Sequence, residues 1–355
     1  PLLLHPAPAR ALFLGLGTGV TAAAAAADPT LRVDVAELLP GVIEASSWFN
    51  QGSAATVAAS RLHRVAADAR RFVHLPGPAY DLIVADNFHP ARSGSAALYT
   101  VEHFAAVRAR LAPGGVFCQW LPLHQLDRRT LQHIVRSFNA VYPEGFAMLA
   151  NNSLLTPVLG LVARPDAPRF DPAVLRQRLV ANALPQRLAD FGIVDELSLL
   201  GGVVAGPAAL KRLAGDAAPN TDDRPIVAYR APLATYVAQS APADRLQALL
   251  DELKVKPPEI VADPGDDIRW SARLAAYWRA RNTFIAVGGS IRPMTDVRAM
   301  LAQVQAPLLA ILGTSPDFRP ARDPLLRMAR ALATVDAAAA RDLTAELQRL
   351  QAARL

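Results

Sequence analysis

"ALFLGLGTGVTAAAAAA", Ala11 to Ala27, decides the fold. Four apolar residues make a short buried strand, Gly15, Gly17 and Gly19 make a turn, and a run of alanines makes a strong helix former. A strand that passes through glycines into a helix is the first half of a parallel βαβ unit, so the pattern is worth following outward.

It repeats. "LRVDVAEL" (31–38) predicts a second strand, "GVIEASSWFN" (41–50) a helix, and "LHRVAADARRFV" (62–73) a third strand and its turn. "YDLIVAD" (80–86) predicts a fourth strand, "TVEHFAAVRARL" (100–111) a helix closed by "APGG", and "VFCQWLPL" (116–123) a fifth strand. A helix over 127–143 and a strand-like run over 153–165 follow. Strands separated by helices pair in parallel through right-handed crossovers, which predicts a doubly wound, mostly parallel α/β sheet. Ligands of such sheets gather at the carboxyl ends of the strands.

Residues 169–215 read as helical and irregular, and "PNTDDRPIVAYRAP" (219–232) as a closing short strand. Beyond Pro242 the helical period continues to the end. We therefore expect a sheet domain over 1–235 and an all-α region over 236–355, either tetratricopeptide-like helical hairpins or a plain bundle.

Composition narrows the function. Hydrophobic residues are 52% of the 355 and charged ones 19%, ample for a sizeable core. The formal charge of +6 rests on scattered arginines without a basic stripe or interleaved aromatics, so nucleic-acid binding is not expected. Cys118, the sole cysteine, lies in an apolar run and reads as a buried, reduced thiol in a cytosolic compartment. No apolar stretch reaches the roughly 18 residues that a spanning helix needs. The first residue is Pro1 rather than Met, so further residues are expected upstream.

Three carboxylates stand at strand ends. Glu37 can accept hydrogen bonds from both hydroxyls of a ribose. Asp34, three residues earlier, is mid-strand and would need an unusual partner. Asp68 can accept from an exocyclic amine such as that of adenine, or it can cap a helix. Asp86 ends the fourth strand, ahead of "NFHPARSG". The glycines do not complete G-x-G-x-x-G, because Val20 stands at the last place; this disfavours NAD, and a bare turn without ligand stays open. His89 can act as a base beside Asp86 or simply close a turn. His103, His124 and His133 lack ligand-like spacing, and no metal is expected.

Taken together, "HPAPARALFLGLGTG", "VAELLPGV", "ADARRF", "YDLIVAD", "ALYTVEHFAAVRARLAPGGVFCQW" and "NTDDRP" resemble the spermidine synthase family of aminopropyltransferases, in particular the spermidine-synthase-like domains fused to membrane segments in bacteria. The resemblance implies a sheet of the S-adenosylmethionine-dependent methyltransferase type. It implies decarboxylated S-adenosylmethionine, or S-adenosylmethionine itself, as donor and a small-molecule amine as acceptor. By the same resemblance Gly15, Gly17 and Gly19 would line the donor, Glu37 would hold its ribose, Asp68 and Ala69 would meet adenine, and Asp86 would be the catalytic carboxylate. Phe13 stands where the methyltransferase branch usually has an acid. A cytoplasmic protein, tethered to the membrane by an upstream part, and a homodimer would also fit.

The departures lie on the acceptor side. His89 stands where the family has a second aspartate, and Ala96 and Ala97 where a further acid is expected. Thr18 replaces an aspartate of the glycine loop, and the N-terminal strand domain of the family is outside this sequence. The donor half is expected intact and the acceptor half altered, which leaves an aminopropyltransferase, a methyltransferase and a non-catalytic adenosyl-binding module as readings. "NTDDRP" is expected to pin the end of the domain through an Asp–Arg pair, with a wall of the site as the alternative.

Overall fold

The computed structural model describes residues 1–50, 58–86, 88–181, 188–189, 192–236, 241–262 and 268–352. Asn87 lies outside them. The chain forms two compact units: residues 1–185 with 203–262, and residues 186–202 with 263–355.

The first unit is built on a sheet of eight strands: β1 (Arg10–Leu14), β2 (Arg32–Glu37), β3 (Leu62–Ala66), β4 (Tyr80–Ala85), β5 (Leu111–Pro122), β6 (Phe146–Leu149), β7 (Val158–Ala163) and β8 (Val203–Ala205). Their order is 3-2-1-4-5-7-6-8. The first five are parallel; β7 runs antiparallel to β5, β6 to β7, and β8 to β6. Helices α1 (Val20–Ala26), α2 (Pro40–Phe49), α3 (Ala69–His74), α4 (Val101–Ala109) and α5 (Arg128–Val141) follow the parallel strands. The expected doubly wound, mostly parallel sheet is therefore observed. β6 and β8 escape a reading of the sequence because they are only four and three residues long, too short for a period to show.

The register explains where a site can form. Leu14 pairs with Ala36 on one side and Ala85 on the other, and Ala85 pairs with Gln119. The ladder continues past the strand ends: Gly15 N–H donates to Ala36 at 2.9 Å, Asp86 N–H to Leu14 at 3.0 Å, and Ala67 N–H to Glu37 at 2.9 Å. Residues 15, 37, 67, 86 and 119 thus stand along one carboxyl edge, where parallel sheets bind ligands.

α6 (Pro172–Ala181), α8 (Pro207–Ala214), α9 (Ile226–Tyr236), α10 (Pro242–Glu252) and α11 (Pro257–Ile260) complete this unit. Residues 226–236 are helix, not the expected strand. Buried Asn220 accepts the Val227 N–H at 3.0 Å, satisfying an amide near the helix start, while Val227 and Ala231, four apart, form the inward face. α10 lies beyond the expected boundary at 235/236 yet belongs to the first unit: Arg245 donates to the His124 carbonyl at 2.8 Å and Arg128 pairs with Glu252.

The second unit comprises α7 (Glu196–Leu200), α12 (Ile268–Gly288), α13 (Val297–Thr314), α14 (Arg319–Leu332) and α15 (Ala337–Ala352). The last four pack each on the next, in the manner of a repeat array. α12 is anchored on the end of α7: Trp270 Nε1 donates to Glu196 at 3.2 Å, Trp278 Nε1 to the Leu200 carbonyl at 3.0 Å, and buried Arg281 to the Gly201 carbonyl at 2.7 Å. The expectation that no stretch reaches membrane-spanning length needs correction: α13 is long and apolar enough by length and composition. It packs on α12, α14 and α15, and carries Pro307.

Candidate active site

The glycine loop is built by conformational need. Gly15, Gly17 and Gly19 have φ of +89°, +53° and +75°, where a side chain is strained. A Cβ on Gly15 would come within 2.9 Å of the Phe88 ring and 3.5 Å of Asp86 Cβ, and one on Gly17 would stand 3.8 Å from Asp86 Oδ2. The loop and the Asp86 side chain are therefore immediate neighbours. Asn50, buried at the end of α2, steadies the loop by donating to the Thr18 carbonyl at 2.9 Å.

Glu37 turns back under the same loop. Its Oε2 accepts the Leu16 N–H at 2.9 Å and its Oε1 the Leu39 N–H at 3.0 Å. Each carboxylate oxygen keeps a second lone pair for a hydroxyl donor. Asp34, by contrast, bonds Tyr80 Oη at 2.9 Å and His63 Nδ1 at 2.9 Å, with Arg10 at 3.5 Å; these are the partners a mid-strand carboxylate needs. Asp68 caps α3 by accepting the Arg71 N–H at 2.9 Å, and Ala69 is the first residue of that helix.

Asp86 leads into a loop held from below. Tyr99, fully buried, donates its hydroxyl to the Phe88 carbonyl at 3.0 Å, and burial with the nearby Asp86 charge pushes its pKa up. His89 Nδ1 accepts the Ala91 N–H at 3.3 Å, and its ring stacks on Tyr236 with centroids 6.4 Å apart. A ring engaged in this way closes a turn; acting as a base through Nδ1 would require that contact to break.

Gln119, unanticipated from the sequence, is buried beside this end of β4. Its Nε2 donates to the Trp120 carbonyl at 3.1 Å and lies 3.5 Å from the Asp86 carbonyl, while its Oε1 has no hydrogen-bond partner among the described residues. The available signal was a lone polar residue inside "GVFCQW". Next to it Cys118 is buried, and desolvation pushes the thiol up to about 12, as expected of an unreactive one. Among the described residues no three His, Cys, Asp or Glu side chains converge as a metal would require.

"NTDDRP" forms the expected pin. Asp222 pairs with Arg70, whose Nη1 also donates to Thr100 Oγ1 at 2.8 Å and to the Ala97 carbonyl at 2.5 Å. Asn220, fully buried, donates through Nδ2 to the Ala96 carbonyl at 3.2 Å. The motif thereby holds the far end of the loop that begins at Asp86.

The fold is set by this topology: a doubly wound α/β sheet of the S-adenosylmethionine-dependent methyltransferase type, with a glycine turn after its first strand. Within that fold the chain is similar in sequence to a polyamine aminopropyltransferase. It is 33% identical over 175 residues to a polyamine aminopropyltransferase from Synechococcus sp. (strain JA-2-3B'a(2-13)), across 46% of this chain and 54% of that protein. The alignment thus spans about half the length of that relative. A spermidine synthase from Thermotoga maritima matches with a TM-score of 0.47 and 20% identity, over 61% of this chain and 71% of that one. A probable spermidine synthase from Corynebacterium glutamicum matches with a TM-score of 0.43 and 21% identity, over 60% and 72%. No family model matches the chain.

Proposed function

We propose that the first unit binds an adenosyl sulfonium donor, decarboxylated S-adenosylmethionine or a near relative, and transfers the alkyl group to an amine. The observation that carries this is the juxtaposition of the left-handed glycine loop, Glu37 beneath it and Asp86 Oδ2 within 3.8 Å of the Gly17 Cβ position. In this reading Gly15, Gly17 and Gly19 let the donor approach the backbone. Glu37 receives its ribose hydroxyls, and Asp68 and Ala69 flank its adenine.

Chemically the site has little to do beyond placement. The amine lone pair forms a new N–C bond to the carbon next to sulfur, the C–S bond breaks, and its electron pair returns to sulfur, giving neutral methylthioadenosine. The surplus proton on nitrogen passes to the Asp86 carboxylate, directly or through a water, and then to solvent. The carboxylate also offsets positive charge as donor and amine meet. In place of the family's second aspartate stands His89, whose Nδ1 serves a turn, so a dicationic acceptor such as putrescine is poorly held. Aminopropyl transfer is favoured over methyl transfer by Phe13, which leaves β1 without the usual methyltransferase acid.

Incubation with each donor and a set of amines, followed by mass spectrometry, tests this. Methylthioadenosine together with an aminopropylated amine supports the proposal. S-adenosylhomocysteine with a methylated product would make it a methyltransferase, and binding without either product a non-catalytic module.

A further inference from the structure

Tyr229, Leu233 and Tyr236 on α9 are 75%, 70% and 73% exposed. Spaced by four and three residues, they form one face of the helix. Three large apolar side chains aligned and uncovered mark a surface that meets something. One end of this face meets the loop that follows Asp86. Tyr236 stacks on His89, and Thr235 Oγ1, beside it, donates to the Gln125 carbonyl at 3.0 Å.

The charges around it match one kind of occupant. Asp86 supplies a carboxylate at the reacting end, and no Asp or Glu occurs between it and Glu102 in the sequence. Further out stand His89, His124 and Arg245, and Asp127 is paired with Arg230 at 3.4 Å. A second ammonium group would therefore meet imidazoles and guanidinium groups, whereas an aromatic or aliphatic body would meet tyrosine and leucine.

Resting on the transferase reading above, we infer that the acceptor is a monoamine with an aromatic or long apolar body, its nitrogen at Asp86 and its body along the Tyr236–Leu233–Tyr229 face. The nitrogen lone pair makes the new bond to the propyl carbon as the C–S bond breaks, and the proton leaves through Asp86, as for any amine at this site.

Calorimetric titration of the full chain, saturated with methylthioadenosine, with tryptamine and with putrescine tests the inference. Tryptamine should bind at least tenfold more tightly. Tyr236→Ala and Leu233→Ser, at exposed positions, should each weaken it about five- to tenfold, the worth of a lost aromatic or apolar contact, with methylthioadenosine affinity unchanged. Putrescine binding as tightly as tryptamine, no tryptamine binding, or variants that leave it unaffected would overturn the inference. Adding the decarboxylated donor separates the two proposals: tryptamine that binds while no amine yields product sinks the transfer reading alone. Product from putrescine and none from tryptamine sinks the acceptor class alone.

Discussion

Glu37 Oε2 accepts the Leu16 N–H at 2.9 Å, so the carboxylate we propose for the ribose is also a prop of the glycine loop. Glu37→Ala should lower methylthioadenosine affinity by about 1.5 to 3 kcal/mol, the worth of charge-assisted hydrogen bonds, and should also lower the melting temperature because two main-chain N–H groups lose their acceptor. Glu37→Gln, which keeps one acceptor oxygen, should recover part of the stability and less of the affinity. Calorimetry on both variants decides it; unchanged affinity in Glu37→Ala would take the residue out of the donor site.

Asp86→Asn should abolish transfer while leaving methylthioadenosine binding within about twofold, since the amide keeps the shape beside Gly17 but cannot take a proton. His89→Asp should improve the use of putrescine by restoring a negative charge, worth about 1.5 to 3 kcal/mol if charge-assisted contact is made. Product formation across a series of putrescine concentrations measures both.

Asn220 and Asp222 belong to one motif but differ in burial. Asn220→Ala strands the Ala96 carbonyl and the Val227 N–H in a fully buried place and should cost about 2 to 4 kcal/mol. Asp222→Ala, whose side chain is 43% exposed, should cost no more than about 1 kcal/mol despite its ion pair with Arg70. Urea unfolding of the two variants ranks them; the opposite ranking would show that the ion pair is the true pin.

Acid should destabilise the first unit through His103. Both its ring nitrogens are buried without partners among the described residues, and burial, with the Arg70 and His74 charges as lesser causes, pushes its pKa down to about 3. The folded state keeps this ring neutral where the unfolded chain, with an ordinary pKa near 6.5, takes up a proton. Stability is therefore full above about pH 6.5 and falls as pH drops below it, by up to about 1.4 kcal/mol per pH unit for this residue. His5 and His124, also lowered by burial, add the same sign. In urea melts at pH 7 and pH 5, His103→Phe should recover about 2 kcal/mol of the loss. An unchanged slope would assign acid sensitivity to other groups.

The alternation of apolar strand, glycine turn and helix determined the sheet and its parallel half, because local period and backbone freedom are properties of a few neighbouring residues. The same locality placed Glu37, Asp68 and Asp86 at strand ends, while His89 acquired its meaning as a departure, and Phe13 as a residue usual to the aminopropyltransferase branch, only from the resemblance. It could not show that residues 226–236 are helical, because what stabilises that helix start is Asn220 Oδ1, contributed by a buried side chain seven residues upstream. Nor could it show that α10 joins the first unit, which follows from Arg245 on the His124 carbonyl across 121 residues of sequence. Gln119 beside Asp86, Phe88 against Gly15 and Tyr236 on His89 are juxtapositions of distant segments. They arise from register and packing, where each contact depends on the placement of every strand between, and so only the tertiary structure decided them.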